Sequence, residues 1–262
     1  MWSRVLVFLV VCGSARETWQ LLPLPDYIHP CEELTDECFT KATMDAIPGI
    51  VQGIPEANIP PLDPLVLERN ISMNLPGGVK MTFHNGKLLG LRTCVPNKVS
   101  SKREKRTFIF DITCNLTIKG RYSVNGRLLL FNLDTDGNAK IKIWNQHIRL
   151  DVVEKVVTNA KGEGHYKVNS YKFKADYGTD LKLNLTNLFR NNPVISANIL
   201  DVLNANAKHV AQEMGGPILD YAIGYAMNVT QKFFDAYTYD QLSKVPLTED
   251  FFVKEDKTDG GS

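Results

Sequence analysis

The 262-residue chain is short of several things, and each shortage excludes a class of function. A surplus of one charge is missing: 30 basic side chains are interspersed with 29 acidic ones, for a net charge of +1. Neither a nucleic acid nor a strongly acidic partner is indicated by such a balance. Long apolar runs are missing too. Beyond residue 15 no segment approaches about 18 uninterrupted apolar positions, so no transmembrane segment is expected. The histidines, at 29, 84, 147, 165 and 209, are scattered. The five cysteines show no C-x-x-C spacing and no nearby histidine pair, which disfavours zinc. No G-x-S-x-G, H-E-x-x-H, P-loop, or G-x-G-x-x-G after a strand occurs. His209 and Glu213 stand one helical turn apart and read as a surface contact. Asp134-Thr135-Asp136-Gly137 resembles the opening of a calcium loop but lacks the spacing to continue, and reads as a hairpin turn. No metal and no cofactor is expected, and the chain is read as non-enzymatic.

What is present begins with MWSRVLVFLVVCGSA at 1–15. Arg4, the apolar run Val5–Val11, and the small residues Gly13 and Ala15 form the pattern of a secretory signal peptide cleaved after Ala15. The expectation is a soluble secreted chain, with a single domain over 16–245 and a tail over 246–262. Loss of Cys12 leaves four cysteines, which can pair in an oxidising compartment. Cys31 and Cys38 are close enough to close a small loop. Cys94 and Cys114 are centred on the run KREKR; if that run is a hairpin tip, they lie opposite each other on adjacent strands. Export also suits four Asn-x-Ser/Thr sequons, at Asn70, Asn115, Asn184 and Asn228.

Strand periodicity says which way these sites point. Leu65, Leu67, Ile71, Met73 and Leu75 are odd-numbered, while Asn70 is even. Phe108, Phe110, Ile112, Leu116 and Ile118 are even, while Asn115 is odd. Leu181, Leu183 and Leu185 are odd, while Asn184 is even. On a period of two, three sequons fall on the polar face of three strands. Strands are expected at about 65–75, 79–84, 87–95, 107–120, 127–133, 139–157, 165–176 and 180–187, with turns at NLPGG, HNGK, SKREKR, DTDGN and NAKGEG. The parity slip between Ile143 and Ile148 predicts a bulge near Trp144–Gln146.

Helical spacing appears twice. A short helix is expected over Cys38–Val51, shortened or kinked at Pro48. A long one is expected over 194–237, kinked at Gly215-Gly216-Pro217, and apolar almost all round after the kink. Only Asp220, Asn228, Gln231 and Asp235 keep a thin polar stripe there. Such a helix must be buried, and without a membrane the sheet must bury it. The fold class is therefore α+β: a long C-terminal α-helix wrapped by a strongly curved antiparallel β-sheet, with a short N-terminal helix.

Several stretches then resemble one family. They are Cys31 and Cys38-Phe39, GIPEANIPPLDPL at 53–65, LLGLRT at 88–93, GRYSVNGRLLL at 120–130, VLNANAKHV at 202–210 and YTYDQL at 237–242. Together they resemble the insect takeout and juvenile hormone binding proteins, and more closely the takeout branch, from about Pro25 to Leu242. The resemblance implies a tubular lipid-binding fold, carriage in the haemolymph, and an internal tunnel for juvenile hormone, another terpenoid, a fatty acid, a quinone or another lipid. It also implies the Cys31–Cys38 bridge. The Cys94–Cys114 pair departs from the hormone carriers, whose second bridge lies further toward the C-terminus.

The candidate tunnel lining follows from strand and helix faces. It comprises Leu65, Leu67, Met73, Met81, Phe83, Phe108, Phe110, Ile112, Tyr171 and Phe173 from the sheet. Ile47, Ile50, Val210, Met214, Ile218, Tyr221 and Tyr225 come from the helices. Tyr171, Tyr221 and Tyr225 are the polar handles. The prolines Pro55, Pro60, Pro61 and Pro64 make the stretch after Gly53 an extended strap at the tunnel mouth. Two rival functions stand beside carriage. One is an esterase acting on a bound lipid. The other is an interaction protein working through a receptor, suggested by Phe251-Phe252 and the basic KREKR, where Arg103–Arg106 also resembles a convertase site.

Overall fold

The computed structural model describes residues 21–75, 78–128, 131–178, 180–190 and 192–246. The expected leader at 1–15 and the tail from 247, with Phe251 and Phe252, lie outside them.

Among the described residues, eight strands form one antiparallel sheet: β1 (Leu65–Val66), β2 (Ile71–Leu75), β3 (Val79–Leu89), β4 (Val95–Lys102), β5 (Thr107–Leu128), β6 (Phe131–Thr158), β7 (Gly164–Asp176) and β8 (Asp180–Leu185). The spine is β5 paired with β6, from Thr107↔Val153 to Leu128↔Phe131. Each spine strand changes its other neighbour halfway. β5 takes β4 along its first half and β3 along its second; β6 takes β8 first and then β7. The changeover sits at the bulge expected near residue 145. The register shifts between Cys114 and Leu116, and Asn145 adopts φ +53°. The extra residue absorbs the parity slip, so Ile143 and Ile148 are buried on the same face despite their odd and even numbers.

Glycines misled the turn assignment twice. HNGK is no turn: β3 runs through it, with Asn85 at φ +49° and a register shift between His84 and Lys87. Asn-Gly serves here as a bulge. DTDGN lies inside β6, where Gly137 pairs with Tyr122. A Cβ on Gly137 would collide with the Thr186 carbonyl oxygen, so the glycine lets that backbone approach the spine, where its carbonyl accepts from the hydroxyl of buried Tyr122 at 2.7 Å. The expected 87–95 strand is also divided. β3 ends at Leu89, Gly90 takes φ +100°, a 3₁₀ turn covers Leu91–Thr93, and β4 starts at Val95. SKREKR and NAKGEG do reverse the chain, between β4 and β5 and between β6 and β7. Disulfides join Cys31 to Cys38 and Cys94 to Cys114.

Helix α1 (Asp36–Ile50) is capped by Thr35, whose hydroxyl accepts from the Cys38 N–H at 3.2 Å, and contains Pro48 near its end. It packs on β4: the Thr40 hydroxyl accepts from the Val99 N–H at 2.8 Å. The long C-terminal helical region is three helices: α2 (Pro193–Ala205), α3 (Ala207–Met214) and α4 (Gly216–Ala236). The break at Gly215 was expected; a further break falls at Asn206. A short α5 (Tyr239–Leu242) follows, opened by a capping box between Thr238 and Gln241.

The proline connector differs from the expected extended strap. Ile54 and Ile59 exchange backbone hydrogen bonds at 2.9 and 3.0 Å, closing a turn around the 3₁₀ residues Pro55–Ala57. Ile54, Ile59 and Leu62 are buried in the core. Two family-like stretches meet at Asp63. Its carboxylate, 5% exposed, accepts the Gly90 and Arg92 N–H groups at 3.1 Å each and lies 3.5 Å from the Arg92 guanidinium. Asp63→Ala leaves the part-buried Gly90 N–H and the exposed Arg92 N–H without this acceptor and should cost about 1–2 kcal/mol, mostly through Gly90. Urea unfolding measures it; a loss below about 0.5 kcal/mol would show that water replaces the carboxylate freely.

Candidate ligand-binding interior

Helix α4 lies inside the curve and touches both of its margins. The Val168 N–H of β7 donates to Gln231 Oε1 at 2.9 Å, and His165 Nδ1 lies 3.0 Å from the Phe234 carbonyl. On the opposite margin the Glu68 N–H, between β1 and β2, donates to the Tyr221 hydroxyl at 3.1 Å. With sheet on two sides, α4 has two apolar faces. Ile218, Ala222, Val229 and Phe233 enter a main cluster with the inner residues of β1–β3 and the second half of β5. Ile223 and Met227 enter a separate smaller cluster with Phe110, Leu150, Val152, Val168 and Phe173. The interior thus has two apolar regions divided along the helix.

Most of the expected lining residues gather here. Leu65, Leu67, Met73, Met81, Phe83 and Ile218 are buried in the main cluster. Ile47, Ile50, Ile112, Met214, Tyr221 and Tyr225 pack half-buried against it. Phe110 and Phe173 belong to the smaller cluster. Three residues belong to neither cluster. Phe108 sets its ring edge-on to Phe39 of α1 at 5.0 Å and stacks 6.3 Å from Phe110 at the edge of the smaller cluster. Val210 is half-buried on α3. Tyr171 is 38% exposed, although a Cβ on Gly224 of α4 would sit 3.3 Å from its hydroxyl. Of the three tyrosine handles, Tyr221 already uses its hydroxyl on the Glu68 N–H, and Arg69 lies 5.2 Å over its ring. Tyr225 stacks 6.4 Å from Tyr221; burial, with Glu68 and Tyr221 adding, pushes its pKa up.

Two polar residues on the inner face escaped the sequence analysis. Gln146 is fully buried beside Cys114; its amide NH₂ donates to the Asp176 carbonyl at 3.1 Å, and its Oε1 has no partner. Glu154 pairs with Val168 of β7 and shares its face with buried Val152. Burial pushes the Glu154 pKa up to about 8. The signal for Glu154 lay in extending the even parity of Ile148, Leu150 and Val152 by one more step. An open groove outside α1 is of another kind: its Lys41–Asp45 and Lys98–Asp36 ion pairs, at 2.7 and 3.0 Å, make it a polar surface.

The sequon asparagines are all exposed: Asn70 in the break between β1 and β2, Asn115 at the β5 bulge, Asn184 on β8 and Asn228 on α4. Peptide mapping of secreted protein should find Asn70, Asn115 and Asn184 occupied more fully than Asn228. Full occupancy at Asn228 with Asn70, Asn115 and Asn184 empty would contradict that order.

The haemolymph juvenile hormone binding protein model matches residues 5–244. The circadian clock-controlled protein daywake of Drosophila melanogaster is 23% identical over 248 residues, covering 88% of this chain and 89% of that one. Daywake of Drosophila yakuba is 22% identical, covering 84% and 88%. The crystal structure of Epiphyas postvittana Takeout 1 superposes with a TM-score of 0.77 at 30% identity, covering 82% of this chain and 99% of that one. A curved sheet around an apolar helix, matched over this length, makes the chain a member of the haemolymph juvenile hormone binding protein family.

Proposed function

We propose that this protein is a secreted carrier that holds one elongated, mostly apolar ligand between α4 and the inner face of the sheet. The observation that carries this is the divided interior, with half-buried Phe110, Phe173, Ile223 and Tyr225 on inward faces. A single solid core would bury such side chains fully. The family's name supports a small hydrophobic ligand and an extracellular setting, and the two disulfides support the extracellular setting. Juvenile hormone, another terpenoid, a fatty acid and a quinone all fit this class. Binding is by burial: about 300 Å² of apolar ligand surface contributes roughly 7.5 kcal/mol before association costs. Affinity should therefore be insensitive to salt and show a negative heat-capacity change. Titration with a fluorescent fatty acid and a fluorescent terpenoid tests it. Folded protein that takes up neither probe, nor any of a broad lipid panel, would overturn carriage.

A second reading is contact with a protein partner. Val194 and Val202 on α2, 70% and 64% exposed, favour it. Carriage and such contact are compatible.

A further inference from the structure

The inner face of the sheet is largely apolar, and of the polar residues on it, Gln146 and Glu154, only Glu154 is ionisable. Its place follows from the register. It is opposite Val168 on β7, and Val156, the next residue on its face, is opposite Tyr166. Its own N–H donates to the Arg106 carbonyl at 2.9 Å, which holds this part of β6 against the β4–β5 turn. Cross-strand partners share a face, so Glu154 points where Val152 and Val168 point, into the smaller apolar cluster with Phe110, Phe173, Ile223 and Met227. Among the described residues, no side chain hydrogen-bonds or forms an ion pair with its carboxyl. Beyond it, the Tyr166 ring lies tilted 5.3 Å from Phe234 and 5.1 Å from Tyr239.

A carboxyl group in such a place needs a reason, because burying an unpaired polar group costs stability. Protein encloses it, and yet it is only half-buried by surface area. Both hold if the carboxyl borders space inside the fold. Burial alone moves its pKa to about 8, so at neutral pH it is mostly protonated and has one O–H to donate. Titratable groups of the elements packed around it include Tyr166 and His165 of β7, Tyr239 of α5, Asp235 of α4 and Arg106 at the turn; Glu154 helps to raise the Tyr166 pKa, while no neighbouring charge contributes to the shift of Glu154 itself.

We propose that Glu154 holds the polar end of the ligand by donating a hydrogen bond to a neutral acceptor oxygen, so that the cargo is a long apolar molecule with an uncharged hydrogen-bond acceptor, not an ionised acid, at one end. This rests on the carrier reading and adds a chemical class and an orientation to it. The apolar part lies along Ile223, Met227 and Phe173, and the oxygen reaches toward the Tyr166 end. A pH dependence follows. The donor is present below pH 8 and lost as the carboxyl ionises above it, so affinity for such a ligand falls between about pH 7 and 9.

The test compares 2-heptadecanone with heptadecane, each displacing a bound fluorescent lipid probe. Wild type should prefer the ketone by about tenfold at pH 6.5, a difference of one hydrogen bond. Glu154→Met, similar in shape and unable to donate, should lose that preference while still binding heptadecane. Glu154→Gln retains N–H donors and should keep the preference with no fall toward pH 9. That arm separates donation from mere filling of space. Equal binding of both molecules by wild type, or an unchanged ketone preference in Glu154→Met, overturns the proposal and leaves carriage standing. Folded wild type that binds neither molecule nor the probe overturns both.

Discussion

Phe83→Ala should lower stability by about 3–5 kcal/mol, the range for truncating a buried aromatic. Phe83 is 2% exposed on β3, and the chain is shaped around its ring. A Cβ on Gly86 would come within 2.6 Å of Phe83 Cε1, and one on Gly120 within 2.6 Å of Cζ. Gly86 belongs to the β3 bulge, and Gly120 pairs with Ala139 in the spine. Two strands thus give up side chains where the ring sits. Alanine at 83 leaves a void bounded by backbone, which collapses poorly, so the upper part of the range applies. Thermal unfolding should shift down by roughly 10 °C for a chain of this size. A shift under about 3 °C would mean that the neighbouring strands close the gap, and that the ring does not organise this part of the sheet.

Ile223→Trp should reduce lipid uptake at least tenfold while leaving the fold intact. Ile223 sits on the α4 face that meets the smaller cluster, away from the larger one. Extra volume in a filled core forces strain, typically about 1–3 kcal/mol. Extra volume in space reserved for a ligand costs the apo protein little and competes with the ligand instead. The two outcomes are therefore distinct. Near-normal thermal stability with lost probe binding supports a cavity beside Ile223. Lost stability with normal binding of the folded fraction places the ligand elsewhere. Met214, the mid-helix position suggested by periodicity, is a weaker choice, because it ends α3 immediately before the Gly215 break.

Much of the fold was legible because its signals are local and repeated. Alternation in β2, β5 and β8 assigned inner faces without reference to any contact. The bulge at Asn145 announced itself as a parity slip, and KREKR centred two cysteines across a hairpin. What was not legible depended on contacts between distant residues. Asn85-Gly86 and Asp136-Gly137 carry turn chemistry, yet each lies within a strand, with its glycine beside a buried ring. The connector looked extended from its prolines; the Ile54–Ile59 pairing and the hold of Asp63 on the Gly90–Arg92 turn are tertiary. The interior was half legible in the same sense. Parity told inside from outside, but it did not divide the apolar residues into two clusters on α4, and a lone glutamate on the inner face reads in sequence as one more charged surface residue.

The central claim is that the protein carries an apolar molecule, and the most direct measurement is extraction and mass spectrometry of what co-purifies with it after secretion from eukaryotic cells. The account predicts an elongated, mostly apolar species at close to one molecule per chain, displaced by a fluorescent lipid probe and depleted in Ile223→Trp. Folded protein that yields no bound lipid and takes up none from a broad panel would contradict it.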